Sequence, residues 1–144
     1  MPVQRNVSAL IPVVAREHRS LAGELLQPLG LYPGQELALM LLAESSPRSL
    51  AELAEILRVT APTMTVMIQR MEKKGLVTKE RSTENRRQVE VRLTVEGERT
   101  HDRVLALWDI LDARTVSHLT AAEEVELQRL LRLALAGVRE AAAD

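Results

Sequence analysis

One stretch of the sequence combines residue types that suit contact with nucleic acid. Residues 60–75 predict a helix, and polar, cationic or methyl-bearing side chains recur along one of its faces. Glutamine can pair with adenine, arginine with guanine, and an apolar group can meet the thymine methyl. An ordinary solvated helix surface has a similar composition, so this face alone leaves both interpretations open. The candidate contacts on this helix are Thr60, Pro62, Thr63, Thr65, Val66, Gln69, Arg70, Lys73 and Lys74.

A second group of cations follows in a predicted β-hairpin. Residues 76–81 and 89–93 predict its two strands, and the polar loop between them ends in Arg86 and Arg87. Arginines at such a tip suit the minor groove and its flanking phosphates. Lysines near the helix end and on the first strand are candidate phosphate contacts: Lys73, Lys74 and Lys79. A basic hairpin beside the helix favours nucleic-acid binding over a merely solvated surface.

The elements that position these side chains have recognisable start and stop signals. Ser49 and Glu52 have the spacing of a capping box, which predicts a helix over residues 50–57. Thr60 is a favourable N-cap for the next helix, and Gly75 ends it because glycine adopts the left-handed conformation. The side of this second helix that carries Met64, Met67, Ile68 and Met71 predicts core packing. Two helices, a tight turn and a hairpin predict a winged helix-turn-helix, which presents one helix to the DNA major groove.

The charge distribution supports the same interpretation. The net charge is only −1 over 144 residues. Residues 60–93 hold eight lysines and arginines against four acidic residues, a net +4. Residues 1–59 carry a net −1 and residues 94–144 a net −4. Local concentration of positive charge on the predicted helix and wing is typical of nucleic-acid binding.

The composition excludes several other classes of protein. Hydrophobic residues make up 46% of the chain, which fits one folded domain, and no cysteine is present. Disulfides, thiolate zinc sites and cysteine-based redox sensing are therefore excluded. No metalloprotease, phosphate-loop or serine-hydrolase motif occurs, so we expect neither an enzyme nor a bound metal or cofactor. Without a secretory signal pattern or an apolar run of membrane-spanning length, we expect a cytoplasmic protein with no membrane partner.

The flanking segments predict four further helices. They cover about residues 8–27, 34–43, 94–116 and 121 onward, after a loose tail over residues 1–7. A second capping box, Thr120 to Glu123, starts the last helix. The first and last helices carry more apolar surface than a small domain normally buries, which favours a two-fold dimer interface. The alternative is that these helices simply cover the core of a monomer.

Several short motifs occur together along the chain. They are Glu72-Lys73-Lys74-Gly75-Leu76-Val77, then Asn85-Arg86-Arg87, then Leu93-Thr94-Val95-Glu96-Gly97. In combination they resemble the MarR family of bacterial regulators. Two positions depart from the family pattern: Asn85 replaces the usual aspartate that helps orient the wing arginine, and Val66 stands where many relatives carry a polar or basic residue.

The resemblance implies a mainly α fold with a small β-hairpin wing: a winged helix-turn-helix with six helices and an intertwined homodimer. It divides one structural domain into an N-terminal dimerisation helix (1–31), a DNA-binding lobe (32–95) and C-terminal dimerisation helices (96–144). It also implies a regulator, expected to be a repressor, that binds double-stranded palindromic DNA as a dimer and releases it when a small ligand or oxidant acts.

A candidate effector site starts from His18, which lies on the apolar stripe of the first predicted helix. The resemblance implies a crevice between the dimer helices and the DNA-binding lobe. There Trp108 and Tyr32 would supply apolar walls and Arg16 would pair with a phenolic or carboxylate effector. The alternatives are a hydrogen-bonded core histidine and plain core packing of Trp108. For the whole chain, the rival interpretation is a helical protein–protein interaction module that has the winged-helix fold without binding DNA.

Overall fold

The computed structural model describes residues 6–143, which form six α-helices, one 3-10 turn and three short strands. The α-helices are α1 (Val7–Leu26), α2 (Gln35–Glu44), α3 (Leu50–Leu57), α4 (Ala61–Lys73), α5 (Val95–Thr115) and α6 (Ala121–Ala143). The strands are β1 (Arg48–Ser49), β2 (Val77–Arg81) and β3 (Val89–Leu93), and the 3-10 turn is Gln27–Leu29. The predicted mainly α fold with a β wing is confirmed.

Two compact units divide the chain inside α5, one ending at Asp109 and the other starting at Ile110. The predicted dimerisation and DNA-binding segments, 1–31, 32–95 and 96–144, have boundaries elsewhere and stay predictions. None of the helices described for residues 6–143 is both long and apolar enough to cross a membrane.

Asn6 caps the first helix, because its side chain accepts a hydrogen bond of 2.8 Å from the Ala9 N–H. The predicted loose tail over residues 1–7 is therefore wrong at its end, where Asn6 is ordered as a cap and Val7 is helical. Residues 1–5 of that predicted tail lie outside the described part of the chain.

The helix-turn-helix is bounded by the caps that its sequence predicts. The hydroxyls of Ser49 and Thr60 accept bonds from backbone N–H groups three residues later, at 3.0 and 3.3 Å. Only half of the first capping box forms, because the Glu52 carboxylate binds Arg48 at 2.7 Å instead of reaching back to the cap. A charge-assisted bond to a guanidinium is stronger than a bond to a neutral N–H group. Gly75 has a φ of 74° and ends the second helix of the pair, as predicted.

The wing contains one strand more than the sequence predicts. The sheet order is β1-β3-β2, with all neighbours antiparallel. Val77 pairs with Leu93 in the hairpin, and Arg48 pairs with Val91 on the other edge of β3. The short strand β1 protects that edge, which would otherwise expose unpaired backbone groups. Two residues are too few to show a strand periodicity, so the pattern could not indicate β1.

The core of the first unit lies where α2, α3 and α4 meet the sheet. Its fully buried side chains are Leu39, Leu42, Leu53, Met64, Ile68, Met71, Val77, Val91 and Val104. Helix α2 contributes Leu39 and Leu42 to this core, and three residues of the predicted methionine-rich stripe on α4 are inaccessible to solvent. Burying such side chains contributes roughly 1.5–3 kcal/mol each, so the core fixes which face of α4 remains outside.

The second unit contains α6, in which none of the described side chains is buried. Its start is the predicted capping box: Thr120 N–H donates to Glu123 Oε2 at 2.8 Å, and Glu123 N–H donates to Thr120 Oγ1 at 3.2 Å. A stripe of apolar side chains at helical spacing remains exposed in the single chain: Leu127, Leu130, Leu131, Ala134 and Val138.

Candidate nucleic-acid interface

Helix α4, the predicted recognition helix, has one face fixed in the core and one face open to solvent. Met64, Ile68 and Met71 are completely buried, which prevents the helix from rotating about its axis. The opposite face exposes Gln69 and Arg70, and within residues 6–143 their side chains form no hydrogen bond or ion pair. The exposed side also includes Thr60, Pro62, Thr63, Val66 and Lys73. This face can therefore offer a paired donor and acceptor, a guanidinium and an apolar group to a base edge.

Threonine hydroxyls on the first turns of α4 are partly used within the helix. Thr60 and Thr63 share a hydroxyl–hydroxyl bond of 2.9 Å. Thr65, which is half-buried, donates its hydroxyl to the Ala61 carbonyl at 2.9 Å. Thr60 and Thr65 donate their hydroxyl protons in these bonds, so they have no O–H left for a phosphate, which needs donors. Thr63 accepts the bond from Thr60, and its own hydroxyl can still donate to a phosphate.

The tip of the wing is a closed loop built on Ser82. Its side chain is buried, and its hydroxyl accepts bonds from the N–H groups of Glu84 and Asn85 at 3.3 and 3.2 Å. Asn85 Oδ1 in turn accepts the Arg87 N–H at 3.2 Å. The amide thus shapes the backbone at the wing arginine without supplying charge. Sequence reasoning missed Ser82, although serine at the start of a polar loop is a known turn former.

The wing arginines are exposed at the end of this loop. Arg86 and Arg87 both point away from the core, and the Arg86 carbonyl accepts a 3.3 Å bond from Arg81 Nη1. A fixed backbone with free guanidinium groups is the arrangement that insertion into a narrow groove requires. Arg81 was not among the predicted contacts and serves to brace the loop.

The three predicted phosphate-binding lysines differ in their surroundings. Lys73 is exposed, and the described residues give its ammonium no ion-pair partner. Lys79 lies 3.7 Å from Glu72, and its side chain is largely covered. Lys74 hydrogen-bonds the Gly30 carbonyl, and its ammonium lies 5.3 Å from the centre of the Tyr32 ring. Lys73 is thus the member of the set with the freest charge.

The four predicted effector residues do not share one environment. The rings of His18 and Trp108 lie 6.5 Å apart at a tilt of 48°. Arg16 is exposed and pairs with Glu17 at 3.1 Å. Tyr32 is 62% exposed and lies beside α4, where it lines a cavity of about 380 Å³ with Val66 and Arg70. The geometry therefore brings together the histidine and tryptophan, and places the tyrosine next to the recognition helix.

No group of three histidine, cysteine, aspartate or glutamate side chains in the part of the chain that the structure describes could hold a metal ion. Two groups in the described helix and wing instead expose polar and cationic side chains. They are Gln69, Arg70 and Lys73 on α4, and Arg86 and Arg87 on the wing. Such an arrangement is suited to a polyanion with grooves.

Comparison with known proteins identifies relatives of this chain. The model of the MarR family matches residues 31–89. The HTH-type transcriptional repressor Rv2887 of Mycobacterium tuberculosis is 33% identical over 106 residues, which cover 74% of this chain and 76% of the relative.

Solved structures agree with this relationship. A mutant of Escherichia coli MarR in complex with operator DNA has a TM-score of 0.81 and 28% identity, covering 90% of this chain and 93% of that one. The complex of Rv2887 with p-aminosalicylic acid has a TM-score of 0.73 and 29% identity, covering 90% and 98%. The sequence identity to these relatives, the share of both chains that is covered and the similarity of the folds all point to the same family. The chain belongs to the MarR family of transcriptional regulators.

Proposed function

We propose that this protein is a transcriptional repressor that binds a palindromic operator as a homodimer in the cytoplasm. Each subunit would place α4 in a major groove and the Arg86–Arg87 tip in the flanking minor groove. The observation that carries this proposal is the two-sided α4: Met64, Ile68 and Met71 hold it in the core, while Gln69 and Arg70 remain exposed. A regulator of this kind needs no catalytic group.

Homodimerisation supports the proposal because two copies of α4 would match two half-sites of one duplex. Exposed apolar side chains occur at both ends of the described chain. On α1 they include Val7, Leu10 and Val14, and on α6 Leu130 and Leu131. A monomer rarely exposes so many apolar side chains at helical spacing unless another protein covers them. A second copy of this chain is the partner that the DNA-binding symmetry requires.

A salt titration on random and palindromic duplexes tests DNA binding. The affinity should fall steeply as salt rises, because each phosphate contact releases counterions. If the protein does not bind DNA, or if its affinity for DNA does not change with salt concentration, the rival function is favoured, a helical protein–protein interaction module. Selection of bound sequences from a random duplex pool would supply the palindromic duplex, and it tests two-fold symmetry and half-site spacing at the same time.

Arg87→Ala should weaken binding to that duplex by about 1–3 kcal/mol, because the guanidinium would no longer enter the groove beside the wing. Fluorescence anisotropy at fixed salt measures the change. Arg99→Ala is the matched control, since Arg99 is an exposed arginine on α5 outside the proposed interface. Equal affinities of Arg87→Ala and the wild type would remove the wing arginine from the interface.

We also propose that a small organic effector, a phenol or carboxylate, relieves the repression by changing the spacing of the two recognition helices. The support is the proximity of His18 to Trp108, which gives a polar anchor against an aromatic wall. The complex of the relative Rv2887 with p-aminosalicylic acid makes that compound a suitable probe. In this proposal Arg16 would leave Glu17 to pair with the carboxylate, whereas Tyr32 would act through its contact with α4.

The variant His18→Ala should weaken the response to p-aminosalicylic acid roughly five- to 150-fold, since the loss of a hydrogen-bond partner for the bound compound costs on the order of 1–3 kcal/mol. The emission of Trp108, the single tryptophan, follows binding directly. DNA affinity without the compound should stay unchanged. An unaltered response in a folded His18→Ala protein would eliminate this site.

A further inference from the structure

The segment that joins α1 to α2, residues 27–34, packs along the recognition helix; we call it the connector. A Cβ atom added at Gly34 would lie 3.2 Å from Met67 Cε, and one at Gly30 would lie 3.8 Å from Lys74 Nζ. Tyr32 lies between these points and borders α4 at Arg70 and Lys74. The connector therefore contacts α4 near the middle of the helix and again at its C-terminal end.

Internal hydrogen bonds hold the connector in one shape. The Tyr32 N–H donates to Gln35 Oε1 at 3.1 Å, and the Gly34 N–H donates to Glu36 Oε2 at 2.7 Å. Both acceptor side chains are buried, and burial raises the pKa of the Glu36 carboxyl above its ordinary value. Gly30 and Gly34 have φ values of 67° and 104°, which other residues rarely adopt. A contact with this segment is thus a contact with a preformed surface.

Lys74 makes that contact from the position directly after Lys73, the last residue of the recognition helix. It is the C-cap residue of α4, and its ammonium hydrogen-bonds the Gly30 carbonyl while facing the Tyr32 ring at 5.3 Å. A cation within about 6 Å of an aromatic ring centre is attracted by the ring's negative face. Both partners belong to the connector, and the carbonyl is 44 residues away in the sequence. Lys73, its neighbour, is also exposed, but the described residues give its ammonium no hydrogen-bond or ion-pair partner.

We propose that Lys74, Tyr32 and Gly30 form a tie that fixes the C-terminal end of the recognition helix to the connector, and that Lys74 positions α4 rather than contacting phosphate. The proposal rests on the proposed DNA-binding function of α4. Because α1 continues into the connector, the tie transmits a displacement of α1 to the helix that reads DNA. It supplies a physical link between α1, the proposed dimerisation helix, and the helix that contacts DNA. Regulation that changes the spacing of the two recognition helices requires such a link.

Two adjacent lysines allow a matched test on the selected palindromic duplex. Lys73→Met should reduce the slope of log affinity against log salt by about 1, because the ammonium would no longer neutralise a phosphate. Lys74→Met removes the same charge, yet it should leave the slope unchanged and weaken binding roughly two- to thirtyfold at every salt concentration. A slope reduced in Lys74→Met as in Lys73→Met would overturn the tie. A wild-type protein without salt-dependent binding would instead overturn the proposed function.

Two tyrosine variants test the tie without changing charge. Tyr32→Leu removes the ring and should weaken DNA binding as Lys74→Met does, again at constant slope. Tyr32→Phe keeps the ring and should bind like the wild type. If Tyr32→Leu also binds like the wild type, the ring has no part in the tie and the proposal fails.

Hydrogen exchange tests the tie in the absence of DNA. In the free protein, Lys74→Met should speed exchange of the backbone amides of residues 30–32 and of Gly34, whereas Lys73→Met should not. When DNA binds to the wild type, the same amides should become more protected, because coupling between two sites acts in both directions. Connector exchange that is identical in Lys74→Met and the wild type would overturn the proposal, whatever the DNA affinity.

Discussion

Replacing Gly97 with alanine is expected to lower the free energy of unfolding by about 3 kcal/mol or more, the upper end of the range for overpacked sites. An added Cβ would lie closer to the Leu76 carbonyl oxygen than real atoms approach, 2.7 Å from Leu93 Cδ1 and 3.1 Å from Leu93 Cγ. The carbonyl cannot move away freely, because it accepts the Thr94 N–H at 3.1 Å. Denaturation in urea followed by far-UV circular dichroism measures the decrease in stability.

Thr94 makes this site rigid from the other side as well. Its hydroxyl accepts the Gly97 N–H at 3.0 Å and donates to the Gly75 carbonyl just after α4. One junction therefore joins three elements: the end of the recognition helix, the start of strand β2 and the start of α5. DNA affinity should fall together with stability, since displacing this junction displaces both proposed contact elements. The packing also explains why a glycine follows Leu93-Thr94 at this spacing.

Gly137→Ala is the control for this prediction. Gly137 lies inside α6, and a Cβ added there meets no atom within 4 Å. Alanine has a higher helix propensity than glycine, so the free energy of unfolding of this variant should equal that of the wild type or exceed it by up to about 1 kcal/mol. A stable Gly97→Ala protein with wild-type DNA affinity would contradict the proposed role of the close approach.

The sequence predicts the helices well because their limits depend on local signals. Ser49, Thr60 and Thr120 bond to backbone groups three residues away, and Gly75 ends its helix through its own conformation. Each signal is contained within one turn of chain. The exposed face of α4 could also be predicted, since burial of one helical stripe determines which residues remain outside.

The partners of charged side chains outside the helix caps could not be predicted in the same way. Glu52 has the spacing of a capping-box residue, yet Arg48 takes its carboxylate once the chain folds. Lys74 and Lys79 are both cations beside a proposed DNA contact, but the fold gives them internal partners in the connector and at Glu72. No periodicity indicates such partners, because they depend on which loop packs against which helix. The division of roles between Lys73 and Lys74 therefore emerges only from the structure.

The substitution Leu131→Glu is expected to dissociate the proposed dimer and, with it, to weaken binding to the selected palindromic duplex by at least about 100-fold. Leu131 is 53% exposed in the single chain and lies on the apolar stripe of α6 with Leu127 and Val138. In a two-fold interface each change occurs twice, so two unpaired carboxylates would have to lose water, which costs several kcal/mol per ion. Sedimentation equilibrium measures the mass, and anisotropy at the same protein concentration measures the affinity.

Gln128→Glu is the matched control, because it adds the same side chain and the same charge to the same helix outside that stripe. Gln128 is exposed and borders Glu124 and Arg132. It should remain a dimer with nearly wild-type affinity, whereas Leu131→Glu should be a folded monomer that retains only salt-sensitive, sequence-independent binding. When two separate monomers bind the two half-sites, the second binding step is a new bimolecular event. It no longer gains from the first, as it does when the two subunits are held together in a dimer. A Leu131→Glu protein that stays dimeric would place the interface elsewhere. A monomer that still binds the palindrome at full affinity would show that the two recognition helices do not act as a pair.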